Sequence, residues 1–370
     1  MPAGVEPRPY QHRIVHKTIG FFAEAFNSVM IQSPTGSGKT VIGMAIARHV
    51  QNEWGLRVGW MAMRRNLLNQ ARQTNESMGF NVDIRYISMF DRDVPEVDFL
   101  ITDEAQHDAA TSAANVHSKI KPKFILGLTA TPYRTDSIKL CFQKQINDAG
   151  IRELIQDGYL SPFHHYTMPN YKPVDVADVY GSDPDRWGQS LAFFHQGHEC
   201  RAFQQRLLDR WGIHCEMIYG QSDSESQIAD FQSGKFRVAT GMMLLTEGFD
   251  YPGLNTVFVR PSGKLCTIQM AGRVLRKFPS LAHKNIVQAE DTKYPFPRAA
   301  TPAEQHLWSD AGWRSLNGGK KLEGVTRRMQ QILASCETSM PAFILKSRLK
   351  QRRIPRGDQG GYGPRPELEE

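Results

Sequence analysis

The residues best suited to chemistry are Ser33-Pro34-Thr35-Gly36-Ser37-Gly38-Lys39-Thr40. Glycines two apart can take backbone angles that other residues resist, so successive N–H groups can turn towards an anion. A helix after them adds the positive end of its dipole. In such a loop Pro34, Thr35, Gly36, Ser37 and Gly38 form the cradle, Lys39 reaches the β- and γ-phosphates, and the Thr40 hydroxyl ligates Mg²⁺. The general pattern opens with Gly, where this chain has Ser33. The loop says nucleotide phosphate. It does not separate a kinase, a GTPase, a transporter and a motor.

A second acidic pair completes the chemistry. Asp103 and Glu104 close the apolar run of "FLITDE". Ligands of open α/β sheets sit at the carboxyl ends of strands. Asp103 is therefore placed to hold Mg²⁺, partly through water, and Glu104 to orient and polarise an attacking water.

The elements needed to position these groups are legible around them. "SVMIQ" before the loop is a buried-strand pattern, and "TVIGMAIARHV" after it has helical spacing. Strand and helix patterns then alternate through "LRVGWMAM", "NVDIRYI", "VDFLITDE" and "KFILGLTA". This alternation implies a parallel sheet covered by helices. It breaks near Pro162–Asp185, rich in Pro, Gly and Asp, which reads as a linker. It then restarts with "QSLAFFH", "HCEMIYG", "FRVATGM", "NTVFVR" and "KNIVQAE" as strands and "CTIQMAGRVLRKF" as a helix. Two α/β units follow, and only the first carries a phosphate loop.

Composition narrows the class. The chain has 370 residues, 40% of them hydrophobic, and no apolar run long enough to span a membrane. Its five scattered cysteines form no disulfide framework and suit a cytoplasmic setting, that of a bacterium or a host cell. His195, His198 and Cys200 lie close in sequence but lack a second ligand pair at zinc spacing. Net charge is +7. From Arg314 to Arg356 eleven Lys and Arg face only Glu323 and Glu337, a surplus of +9, while residues 1–313 carry about +1. A basic segment of this kind points to a polyanion partner, or to a contact for another protein.

"RPYQ" (Arg8–Gln11), "SPTGSGKT", "DEAQH" (Asp103–His107), "LTATPYR" (Leu128–Arg134), "TEGFDYP" (Thr246–Pro252) and "QMAGRVLR" (Gln269–Arg276) occur in that order. This series resembles a superfamily 2 helicase or translocase of the DEAD/DEAH-like kind, and is similar to compact bacterial or bacteriophage DNA helicases. Such enzymes often open the phosphate loop with Ser or Ala.

The resemblance implies two tandem RecA-like parallel-sheet lobes and a small basic, mainly helical C-terminal segment. The expected division is lobe 1 over residues 1–168, a linker over 169–188, lobe 2 over 189–298, the basic segment over 299–356 and a disordered tail over 357–370. ATP and Mg²⁺ are the implied cofactors. Gln11 would read adenine, with Arg8 stacking or bonding beside it. Thr129 and Thr131, with His107, would couple the ATP site to nucleic acid. Gln269, Arg273 and Arg276 would form the arginine-finger helix, its two arginines on one face. Gly248 and Asp250 would touch nucleotide. Arg64, Arg65, Gln70, Thr240, Gly241 and Thr246 would grip the nucleic-acid strand, DNA being favoured over RNA. The expected activity is ATP-driven translocation or unwinding. The alternative is an ATP-gated nucleic-acid clamp or an RNA helicase with little processive unwinding.

Overall fold

In a computed structural model of the chain, residues 2, 5–107, 111–132, 140–219, 224–242, 251–309 and 312–316 are described. Thr246, Gly248, Asp250 and the basic segment beyond residue 316 lie outside them.

The first lobe begins with α1 (Pro9–Ala23) and continues through β1 (Ser28–Gln32), α2 (Lys39–Trp54), β2 (Val58–Ala62), α3 (Arg65–Ser77) and β3 (Ile84–Ser88). It then runs through β4 (Phe99–Asp103), α4 (Thr111–Ile120), β5 (Phe124–Thr129), β6 (Lys144–Asn147) and α5 (Ile151–Gln156). The six strands form one parallel sheet in the order β3-β2-β4-β5-β1-β6. Helices cover both faces of such a sheet, so its inner strands need no polar face. Every residue of β2 and of β4 is accordingly buried. Ile31, Ile46, Trp60, Ile101, Leu126 and Leu128 are all fully enclosed. Each such side chain contributes about 1.5–3 kcal/mol by leaving water.

The second lobe contains β7 (Phe163–Met168), α6 (Pro173–Ser182), α7 (Pro184–Trp187), β8 (Ser190–Phe193), α8 (Gly197–Trp211), β9 (Cys215–Met217) and α9 (Ser224–Gln232). After these come β10 (Val238–Gly241), β11 (Thr256–Val259), α10 (Lys264–Gly272), β12 (Lys284–Ala289), β13 (Glu304–Ser309) and β14 (Gly312–Ser315). Its eight-stranded sheet has the order β14-β13-β7-β12-β11-β8-β10-β9. All pairs are parallel except β13 with β14.

Residues 157–162 join the lobes. Gly158, Tyr159 and Leu160 fold back onto α5 through N–H bonds to Ile155 and Leu154. The Ser161 N–H donates to the Leu275 carbonyl at 2.8 Å, and the Lys284 N–H to the Pro162 carbonyl at 3.0 Å. The connector is thus fastened at both ends.

The structure departs from the sequence-based division at three places. Phe163–Met168, expected at the end of lobe 1, is an interior strand of the second sheet, between β12 and β13. Its polar residues hid it: buried His165 bonds through Nε2 to Gln288 Oε1 at 3.0 Å on β12. The stretch expected as a linker contains α6 and α7, whose prolines stand at the first helical turn, where no N–H is needed. Residues 304–315, expected as helix, form the antiparallel hairpin β13–β14, with Trp308 edge-on to Trp313. Among the described residues no helix is long and apolar enough to cross a membrane.

Candidate functional site

The strand order β4-β5-β1 brings three chemistry-bearing strand ends to one edge. Register pairs Gln32 with Thr129 and Asp103 with Leu128, so Ser33, Thr129 and Asp103 emerge side by side. The Ser33 N–H donates to the Thr129 carbonyl at 2.9 Å. Gly36 and Gly38 both lie at positive φ, 80° and 81°, which L residues seldom adopt. Ser33 Oγ bonds Ser37 Oγ at 2.7 Å, so the serine at the loop's opening braces the turn from inside. Among the described residues, the Lys39 Nζ hydrogen bonds are long ones to the Ser33 and Pro34 carbonyls, 3.4 and 3.5 Å.

Burial holds the Lys39 ammonium below its ordinary pKa; Glu104 and Asp103 oppose this, while Arg273 and Arg276 add to it. Burial and the neighbouring Glu104 push the Asp103 carboxyl well above the usual carboxylate range, although Lys39 opposes them. The Thr40 hydroxyl at the start of α2 and the Asp103 carboxyl are oxygen donors of the kind that suits a hard divalent cation such as Mg²⁺.

Glu104 is one of four described non-glycine residues at positive φ, 52°. Left-handed backbone costs such a residue about 1–2 kcal/mol. Gln106 Nε2 donates to Glu104 Oε2 at 2.9 Å, and hydrogen bonds to charged groups contribute about 1.5–3 kcal/mol, enough to offset it. Gln106 Oε1 in turn lies 2.6 Å from Thr129 Oγ1, which accepts from the Thr131 N–H at 3.0 Å. A continuous polar line therefore joins Glu104 to the end of β5. Sequence reasoning named Thr129 and Thr131 and missed Gln106, although it stands in "DEAQH". His107 closes the short 3-10 turn that presents Gln106.

Gln11 is buried on α1 against the phosphate loop, where its Nε2 donates to the Ser37 carbonyl at 3.1 Å. Its Oε1 accepts from the Arg8 N–H at 3.1 Å. The Tyr10 hydroxyl donates to the same Ser37 carbonyl. Arg8 stacks over Tyr159, 5.0 Å from the ring centre, and bonds Tyr10 at 3.1 Å. The loop and the start of α1 are thus one packed unit, which includes Tyr10 and Tyr159 beyond the residues anticipated.

The second lobe meets this unit directly. A Cβ added to Gly272 would lie 3.2 Å from the Thr35 Cβ, and one on Gly36 would lie 3.1 Å from Leu160 and 3.3 Å from the Arg276 Cγ. Gln269 and Arg273 are buried. The expected arginine helix is shorter than its apolar pattern: α10 ends at Gly272, and Arg273 and Arg276 ride on the turns beyond it. Ending there lets the small Gly272 approach the loop while the chain bends to bond Ser161, and the charges of both arginines still act on Lys39.

Two family models match the chain: "Type III restriction enzyme, res subunit" over residues 4–88 and "Helicase conserved C-terminal domain" over residues 173–277. The chain belongs to the superfamily 2 helicases. The helicase models and the similar folds support an ATP-dependent nucleic-acid motor. Solved structures of similar fold include the Type ISP restriction-modification enzyme LlaBIII bound to DNA (TM-score 0.59, 16% identity, 79% of this chain and 28% of that one). Another is S. cerevisiae Dbp5 bound to RNA and ADP BeF3 (TM-score 0.55, 14% identity, 80% and 90%). A third is Mycobacterium smegmatis helicase Lhr bound to ssDNA and AMP-PNP (TM-score 0.52, 15% identity, 77% and 46%). The chain spans little more than a quarter of the restriction enzyme. A 51.5 kDa protein of Lactococcus phage (isolate 7-9) is 23% identical over 328 residues, covering 77% of this chain and 70% of the phage protein.

The residues expected to grip a strand fare unequally in this helicase fold. Arg64 caps α3, half-buried, and Arg65 beside it is exposed; Gln70 lies further along α3, half-buried. Thr240 corrects the expectation. It is fully buried in β10, its hydroxyl donating to the Ala192 carbonyl at 2.9 Å, so that side chain is not offered to a ligand. Gly241 is likewise buried, its carbonyl accepting from the Phe194 N–H.

Proposed function

We propose that this superfamily 2 chain is a DNA motor that couples ATP hydrolysis to translocation along, or unwinding of, a duplex. The observation that carries the reading is the meeting of both lobes on one phosphate loop, with Thr35 against Gly272 and Gly36 against Arg276. A site shared in this way changes with the angle between the lobes, which is what coupling to movement requires.

The residue roles belong to the same proposal. ATP binds with its phosphates on residues 34–40 and its adenine at Gln11, with Arg8 beside it. Bound Mg²⁺ would offset phosphate charge, and Thr40 and Asp103 would hold it, partly through water. Glu104 orients the attacking water, its carboxylate aimed by Gln106. Arg273 and Arg276 meet the charge that grows in the transition state. When the γ-phosphate leaves, the Glu104–Gln106–Thr129 line carries the change to the end of β5. Arg64, Arg65 and Gln70 contact backbone rather than bases, as suits movement along any sequence.

The restriction enzyme neighbour bound to DNA and the phage relative favour DNA, acting in the cytoplasm of a bacterium or an infected host. The test is ATP turnover with no nucleic acid, single-stranded DNA, duplex DNA and RNA, followed by strand displacement on forked and blunt duplexes. DNA-stimulated turnover with displacement or directional movement is expected. Stimulation by RNA alone would overturn the DNA assignment, and DNA-dependent turnover without movement would favour an ATP-gated clamp.

A further inference from the structure

The far edge of the second sheet holds a cluster that the ATP chemistry leaves unused. On adjacent parallel strands, register sets His164 of β7 opposite Glu304 of β13, and Tyr166 opposite His306. Residues two apart on a strand share a face, and neighbouring strands lie about 4.8 Å apart, so His164, Glu304 and His306 converge. One ligand atom from each lies within 4.8 Å of the others. Glu304 Oε2 and His306 Nε2 are already 3.2 Å apart. Two ligand atoms on tetrahedral zinc, with bonds of about 2.0–2.1 Å, stand about 3.4 Å apart.

The rings are held for this purpose. His306 lies flat on Tyr166, with planes 10° apart and centres 4.4 Å apart. His283, just before β12, stacks on His164 with ring centres 4.6 Å apart. His306 Nε2 is shut off from solvent and faces Glu304 Oε2 in a geometry poor for a hydrogen bond. An ion between them would give both atoms a good partner.

We propose that His164, Glu304 and His306 bind one zinc ion, with water in the fourth position. Two imidazole nitrogens and one carboxylate suit zinc, whereas magnesium and calcium prefer oxygen ligands throughout. The ion joins β13 to β7 and so fixes the hairpin from which the chain departs towards its basic segment. It is separate from the Mg²⁺ of the ATP site and independent of the motor reading.

The test uses the full chain, stripped of metal and kept in excess Mg²⁺. Zinc is titrated against a chromophoric chelator, and cobalt(II) is followed by its visible absorption. One zinc per chain at micromolar concentration is expected, with an intense four-coordinate cobalt spectrum and a rise in melting temperature of about 2–4 °C. Glu304→Gln and His306→Phe, the second preserving the ring stack on Tyr166, should melt like the parent without metal, yet lose both zinc uptake and the thermal shift. No zinc uptake by the parent overturns the site. So does equal uptake by both variants, which would place the metal elsewhere, for instance on cysteines.

Discussion

Glu104 sits in left-handed backbone at the mouth of the phosphate loop, aimed by Gln106. Its isosteric replacement separates chemistry from binding. Glu104→Gln is expected to bind ATP normally while turnover falls by about a hundredfold or more. Nucleotide binding by fluorescence beside single-turnover hydrolysis reads both quantities, and loss of binding would make Glu104 structural. Arg276→Ala should also lower turnover far more than ATP affinity, because its charge matters most in the transition state. Equal losses in both would point instead to damage at Gly36, against which the Arg276 stem packs. At this scale the sequence singled out Lys39 by the Gly-rich loop before it, and Asp103 and Glu104 by their place at the end of an apolar run. Gln106 was not singled out, because its role comes from Thr129 on the neighbouring strand. Thr240 misled because a hydroxyl in a strand looks the same in sequence whether it faces a ligand or a main-chain carbonyl.

Elements divide in the same way. β1, β2, β4 and β5 announced themselves as continuous apolar runs, since both sheet faces are covered. β7 did not, because its histidines and tyrosine find partners on β12 and β13. Lys284, at the start of β12, shows what a charged residue inside a sheet does. It is fully buried, and its ammonium donates to the Pro252 and Leu254 carbonyls at 2.7 and 2.6 Å. Burial lowers its pKa to about 8. In the unfolded chain it titrates near 10.4, so between about pH 8 and 10.4 the unfolded state binds more protons. Its contribution to stability therefore improves as pH rises through that window. The size is at most about 3 kcal/mol, from roughly 2.4 pKa units at 1.36 kcal/mol each. Lys284→Met removes the titration and leaves two carbonyls unpaired. Its stability deficit relative to the parent should thus widen between pH 8 and 10, as read from paired urea denaturation curves. A deficit independent of pH would show that Lys284 is not desolvated in the native state.

For the whole molecule, charge and architecture are separated. Residues 1–313, which include both sheets up to the middle of β14, carry about +1, and the segment from Arg314 to Arg356 carries +9. Removing residues 318–370 should weaken DNA binding and flatten its salt dependence. If about four of the removed cations meet phosphates, the slope of log K against log salt falls by about 3.6. Basal ATP turnover should barely change, since every proposed ATP-site residue precedes Phe278. Binding isotherms across a salt series decide it, and an unchanged slope would mean that the segment does not touch the phosphates and is a solvated face or a contact for another protein.

The short connector between the lobes has a mechanical consequence. Six residues, 157–162, reach at most about 20 Å even when fully extended, and here they are fastened to α5 on one side and to Leu275 and Lys284 on the other. The lobes can pivot about this joint but cannot part. The joint lies beside the nucleotide cradle, where Leu160 abuts Gly36, so the lever arm at the chemical step is short and that at the outer sheet edges is long. A small angular change at the phosphates is magnified into a larger sweep at the periphery.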